Sequence, residues 1–245
     1  MSDTVRGVGF DRKIRLAWLE AVAGWTASGM PDAEIRAKLD RLLEGEVTGK
    51  EARKKTKTVL LRTWLLPSER LRCLRDQGLA LLSRTNDSER LALHWGMVCA
   101  GHPVVWETAS IVGRLLRLQG EASLSQVRAR IVETYGERST VVRASQRILR
   151  SFSDWNVLEE MSERGIYRAS VTHRLEDSEV VAWLIEASLL SSDQETRVLP
   201  TLLASPSLFP FDISLSGREF SDSNSRIALY SQGKNEELVS LQPSR

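Results

Sequence analysis

The most constraining stretch of this chain is residues 123–169, where a capped helical run, a glycine turn, a second helical run and a strand-like alternation follow one another directly. Ser123-Leu124-Ser125-Gln126 has capping-box spacing, in which a Ser oxygen and a Gln side chain satisfy backbone N–H groups left free by the first turn. Leu124, Val127, Ile131, Val132 and Tyr135 then mark an apolar face. Gly136 can take the left-handed conformation that closes a helix, and Ser139 is a good N-cap for the next. A short turn containing glycine between two helices is the helix-turn-helix connection.

The second helix, over 140–155, puts Val141, Ala144, Ile148, Leu149, Phe152 and Trp155 on one apolar face. On its other side Ser139, Arg143, Gln146 and Arg150 follow at steps of four, three and four, with Thr140 and Arg147 alongside. Arg can fork onto guanine, Gln onto adenine, and either can hold phosphate. A solvated helix face gives the same pattern. The lack of an acidic residue before Asp154, and the place of the stripe on the second helix, favour DNA contact.

After Asn156 the pattern turns strand-like over 157–161, turns through Ser162-Glu163-Arg164-Gly165 and returns over 166–169, a hairpin. Arg164 and Arg168 can reach phosphate, whereas Glu159, Glu160 and Glu163 oppose it, so the hairpin either touches DNA, packs, or faces a protein. Two helices about a Gly turn and a following hairpin resemble the winged helix-turn-helix DNA-binding superfamily. The resemblance implies double-stranded DNA as a partner.

The rest of the chain reads as mainly α: a helical N-terminal bundle over 1–102, the winged segment over 103–175 and a small acidic α/β extension over 176–245. Helices are expected over 10–28, from Pro31-Asp32 to Glu44 with a stop at Gly45, and from a second capping box at Thr48-Gly49-Lys50-Glu51 to Leu66. Others run from Ser68-Glu69 to near Ser83, from an Asp87 or Ser88 cap to near Cys99, and over 104–119 after Pro103. Beyond the hairpin, 179–190 is an amphipathic helix and 195–203 a short one. Residues 205–213 are apolar and proline-bounded, and either pack back onto the helices or offer Leu208 to Phe211 as a docking side for other protein subunits. Two strands over 226–231 and 237–241, joined by Gln232-Gly233-Lys234-Asn235, close a terminal hairpin.

The formal charge of +2 hides a gradient: residues 1–120 carry 20 Lys or Arg against 14 acids, and residues 176–245 carry 5 against 11. A basic first half and an acidic tail suit a protein with one end toward a polyanion. The densest basic run is 50–62, where Arg53, Lys54, Lys55 and Lys57 are candidate phosphate contacts beside Lys50 and Arg62. A solvated helix face explains the same residues equally simply. The tryptophans, among them Trp18, Trp25, Trp64, Trp95 and Trp106, fall at apolar helical positions and read as core.

No apolar run is long enough to span a bilayer, and Met1-Ser2-Asp3-Thr4 lacks signal-peptide order, so a cytoplasmic protein without membrane contact is expected. Cys73 and Cys99 sit in helical patterns without metal-ligand spacing and read as buried free thiols. His94, His102 and His173 are far apart and outside any HExxH frame, and no GxxxxGK[ST] or GxGxxG loop occurs. The expectation is therefore no catalysis, no cofactor and no metal. Glu44, Glu46, Lys50 and Glu51 supply nuclease residue types, a pattern that a helical basic segment also produces by chance.

The segment Tyr135-Gly136-Glu137-Arg138-Ser139, leading into Arg147-Ile148-Leu149-Arg150-Ser151-Phe152-Ser153-Asp154-Trp155, resembles the BrxA family of accessory proteins in BREX phage-defence systems. It covers about residues 90–170. The resemblance implies an antiviral-defence role as a non-enzymatic DNA-binding subunit beside a methyltransferase and ATPases. A protein-interaction scaffold and an autonomous transcription regulator are the alternatives.

Overall fold

Phe10 and Ile14 are fully buried on an extended segment, so the helix expected from residue 10 begins later, as α1 (Leu16–Ala27). The computed structural model describes residues 9–192, 196–213, 226–232 and 236–242. Next, α2 (Asp32–Glu46) runs through Gly45, because Leu39 and Leu43 bury its face and outweigh a single glycine. Helix α3 (Lys50–Leu60) starts after Gly49 at φ 93° with no side-chain cap, so the expected capping box at Thr48 does not form. Its last stretch widens into a π-turn, Leu61–Leu65, that buries Leu61, Thr63, Trp64 and Leu65 together.

A 3-10 turn (Glu69–Leu71) leads into α4 (Arg72–Leu82). Then α5 (Asp87–Gly101) opens on Asn86, not Asp87 or Ser88. The reason is Glu89: Asn86 accepts from the Glu89 N–H at 3.0 Å, and the Glu89 carboxylate accepts from the Asn86 N–H at 3.0 Å. α6 (Pro103–Gln119) follows with Pro at its first position.

Strand β1 (Ala122–Ser123), α7 (Leu124–Tyr135), α8 (Ser139–Asp154), β2 (Leu158–Glu160) and β3 (Ile166–Ala169) come next. The Ser123 capping box is present, with the Gln126 N–H donating to Ser123 Oγ at 3.1 Å. Gly136 has φ 78° but ψ 158°, so it leaves the helix by an extended step available to glycine and not by a left-handed cap. Ser139 is the first helical residue and no N-cap; Arg138 holds that place without capping the helix, and its guanidinium donates to Tyr135 O at 3.0 Å. The two-residue β1, absent from the sequence reading, pairs antiparallel with β3, giving the sheet order β1-β3-β2.

β4 (His173–Leu175) precedes α9 (Ser178–Ser191), in which every residue from Val180 to Ser191 is buried. The expected amphipathic helix is thus enclosed on all sides. The Trp183 ring lies over Gly96 of α5 and Gly78 of α4, and its Nε1 donates to Leu74 O at 2.8 Å. The expected helix at 195 is instead β5 (Thr196–Val198), followed by α10 (Leu199–Leu203). A 3-10 turn (Pro206–Leu208) and β6 (Phe211–Ile213) complete the apolar stretch, and β6 pairs in parallel with β4.

That stretch packs back onto the helices. Trp95 donates to Ser207 O at 3.1 Å and gathers Phe152, Trp155, Phe209 and Phe211 around its ring. With Leu208 and Phe211 buried, this segment is core and not a docking side. β7 (Ile227–Gln232) and β8 (Glu236–Leu241) form the terminal hairpin, with β5 on the other edge of β8; its spacer at 233–235 lies outside the described residues.

The fold is mainly α, with one hydrophobic core running from Phe10 to Val239. Trp18, Trp64 and Trp95 are buried and Trp25 and Trp106 pack against that core. Cys99 is buried, but Cys73 is exposed on α4, a correction to its reading as a buried thiol. Among the described residues no helix is long and apolar enough to cross a membrane.

Candidate nucleic-acid interface

Helix α8 buries Val141, Ala144, Ser145, Ile148, Leu149, Ser151 and Phe152 and turns its polar stripe outward. Ser139 and Arg143 are exposed; Thr140, Gln146, Arg147 and Arg150 are half-buried along the same ridge. Arg143 Nη2 donates to Ser139 Oγ at 3.4 Å. Among the described residues Arg143, Arg147 and Arg150 make no ion pair, so their guanidinium groups keep donors for an incoming acceptor.

The back of α8 is bolted to the extended N-terminal segment. The Ile14 N–H donates to Ser151 Oγ at 2.9 Å, and Trp155 Nε1 donates to Ile14 O at 3.0 Å. Asp154, the one acid of the helix, accepts from the Leu16 N–H at 3.1 Å and pairs with Lys13 at 2.7 Å. Its charge is thereby compensated.

The two flanks of the ridge differ in charge. Toward the hairpin lies a cavity of about 890 Å³ in which Arg128, Arg150 and Arg164 are matched by Glu137, Glu160 and Glu163. Gln146 and Tyr167 also line it. Burial, and then the adjacent Glu160, push the Tyr167 hydroxyl above the ordinary tyrosine range. Arg168 is turned away into an ion pair with Glu121 at 3.2 Å.

Toward α3 lies a cavity of about 310 Å³ lined by Asp11, Lys55, Thr58, Arg62, Arg138 and Thr140, with Gly9 at its edge. Three cations there face one carboxylate. Lys55 pairs with that carboxylate at 3.1 Å. Of the other α3 candidates, Lys54 is exposed, Lys57 turns to Asp40 of α2 at 2.6 Å, and Arg53 donates to Val47 O at 3.3 Å. The fold therefore brings Lys55 to α8 and leaves Arg53 and Lys57 on the α2 side. Arg62, Thr58 and Arg138 escaped the sequence reading as site residues, although 55, 58 and 62 share one helical face.

The buried imidazoles have structural partners. Trp64 Nε1 donates to His94 Nδ1 at 3.0 Å, which leaves Nε2 as the protonated nitrogen, 2.9 Å from Glu20 Oε1. Burial alone would raise Glu20, but hydrogen bonds and charge from His94 and Arg90 hold its carboxyl at about 2. His94 is fully buried, so it reaches solvent only through Glu20. His102 lies 3.3 Å from Thr63 Oγ1; burial, and then the Arg62 charge, bring it down to about 4 against an opposing bond with the Val59 backbone. Glu46, one of the dispersed acids, accepts from Trp18 Nε1 at 3.1 Å and pairs with Arg15.

No protein-family model, curated protein or solved structure matches this chain.

Proposed function

We propose that the chain is a non-catalytic double-stranded DNA-binding protein whose segment 103–175 acts as a winged helix, with α8 entering the major groove. The single observation that carries this reading is the α8 ridge, where three arginines and a glutamine project on one side without an ion-pair partner among the described residues. A carboxylate at i±3 or i±4 would compete for these guanidinium groups; here the only acid of the helix is held by Lys13 and the Leu16 N–H. The order helix, short strand, helix, helix, hairpin, with β1 on β3, gives α8 the setting a recognition helix needs. In this reading Arg143 and Arg150 reach bases or phosphates, Gln146 reads a base edge, and Ser139, Thr140 and Arg147 hold the register. The resemblance to the BrxA family supports a role for such a subunit in cytoplasmic anti-phage defence.

The test is a fluorescence-anisotropy titration of labelled duplex at two salt concentrations, comparing the wild type with an Arg143→Ala/Arg147→Ala/Arg150→Ala variant. Binding that weakens with salt and is mostly abolished in the variant supports the reading; no binding, or equal binding by the variant, overturns it.

A second reading, a protein-interaction scaffold, is favoured by the hairpin-side cavity. Its three arginines and three glutamates suit a peptide of mixed charge better than a polyanion. Stable copurification with partner subunits and no retention on DNA would select it.

A further inference from the structure

We propose that the small cavity between α3 and α8 is a phosphate seat, and that a bound duplex is gripped through its backbone on this α3 flank and not through the hairpin. This rests on the DNA-binding reading and assigns it a side that neither the motif nor the charge count specifies.

The two cavities along α8 offer a phosphate opposite receptions. On the hairpin flank, positive and negative side chains are equal in number, and Glu160 and Glu163 stand beside Arg164. A phosphate entering there meets as much repulsion as attraction, and it would have to displace Arg168 from Glu121 to gain more. On the α3 flank Lys55 is paired with Asp11 at 3.1 Å, and Arg62 stands beside them without a carboxylate of its own among the described residues. Neutralising a phosphate needs such an uncompensated cation, since the affinity comes from counterions released as the charge is matched.

Arg62 is the residue around which the seat is built. It is exposed and makes no hydrogen bond or ion pair with any described residue. It belongs to the π-turn Leu61–Leu65, whose other members are buried, so the widened turn holds the one outward position beside the cavity. Its charge also reaches inward, where it helps to keep His102 unprotonated, so a buried imidazolium does not compete with it. Thr140 adds a hydroxyl donor from the first turn of α8, whereas the Thr58 hydroxyl on the α3 wall already donates to Lys54 O at 2.9 Å. Thr140 belongs to the same helix as Arg143 and Arg150, so one rigid element links the seat to the ridge that would read the bases.

The experiment is the salt dependence of duplex binding near pH 7.5, measured by anisotropy for four proteins: wild type, Lys55→Gln/Arg62→Gln, Arg164→Gln/Arg168→Gln and Asp11→Asn. Thermal melts show that each is folded. All substituted side chains except Asp11 are at the surface, and Asp11→Asn keeps its shape. Each phosphate that is no longer neutralised should flatten the plot of log K against log salt by about 0.9. The Lys55/Arg62 variant is expected to lose about that much, the hairpin variant to keep the wild-type slope, and Asp11→Asn to bind more tightly at low salt.

A wild-type slope in the Lys55/Arg62 variant overturns the seat while leaving the DNA reading intact, provided the α8 triple variant still loses binding. The seat for a duplex falls in that case even if inorganic phosphate alone gives a 31P line broadening that the Lys55/Arg62 variant abolishes, which would make the cavity a site for a free phosphate group. Flattening in the hairpin variant alone also overturns it. If the wild type binds no duplex at any salt, both readings fall together.

Discussion

The carbonyl oxygen of Pro206 occupies the space above Gly113, 1.9 Å from where a β-carbon on that residue would sit. Helix α6 and the apolar stretch after α10 are thereby pressed backbone to backbone, and the obstacle is main chain that cannot rotate aside. Gly113→Ala is expected to cost about 3 kcal/mol of stability, since overpacking against backbone forces a shift of the whole segment. Urea unfolding followed by tryptophan fluorescence checks this, because Trp95 donates to the neighbouring Ser207 carbonyl. A midpoint within error of wild type would show that this packing is loose.

Glu186 of α9 is fully buried and pairs with Arg226, just before β7, at 2.8 Å. Arg226→Met removes one compensating charge from that buried carboxylate and should cost about 3 kcal/mol, as broken buried pairs do. The double variant Glu186→Gln/Arg226→Met should recover much of that loss. A double-mutant cycle with additive effects would disprove the coupling.

His102 should make stability fall on acidification. Above about pH 7.5 its imidazole is neutral in both folded and unfolded chains and adds no pH dependence. Below about 6.5 the unfolded chain takes up the proton first, because the folded value is held near 4, so the stability present at neutral pH is lost progressively toward that value. Between pH 6.5 and 5 its share is about 1.6 kcal/mol, because the slope reaches 1.36 kcal/mol per unit only once the unfolded imidazole is fully protonated. Urea midpoints of the wild type and His102→Gln, measured at both pH values, should differ in slope by that amount; parallel slopes would remove His102 as the cause.

Single substitutions on the ridge should separate reading from holding. Arg143→Ala or Arg150→Ala should weaken duplex binding by about 1 to 3 kcal/mol if a base is read. The loss should then be larger on the preferred sequence than on random duplex. Arg168→Ala, already committed to Glu121, should change binding little. A larger loss for Arg168→Ala than for either ridge arginine would contradict the assignment.

What the sequence disclosed was local chemistry. The box at Ser123 and Gln126 is contained within four residues, and the α8 ridge within one helix, so both were legible. At α5 the true cap was also written locally, since Glu89 stands three residues after Asn86, but Asp87 and Ser88 offered equally good cap oxygens. Elements made by distant partners were not legible: β5 exists because Thr196–Val198 pairs with β8 far along the chain, and β6 because it meets β4. α9 read as amphipathic, although its run from Val180 to Leu190 has almost no polar side, which is the mark of an enclosed helix. The cations of α3 were visible as composition. Helical periodicity puts Lys55 and Lys57 on opposite sides of α3, but only tertiary packing decides that the Lys55 side meets Asp11 beside α8 and the Lys57 side meets Asp40.

The double bond of Ile14 to α8, through Ser151 and Trp155, has a thermodynamic corollary. A helix pinned from behind at two points of its last turn, with its carboxylate fixed as well, has little conformational freedom left to lose when something docks on its front. Calorimetry of such an encounter should give a heat-capacity change that matches the surface covered and nothing more, without the excess that accompanies a segment ordering as it binds.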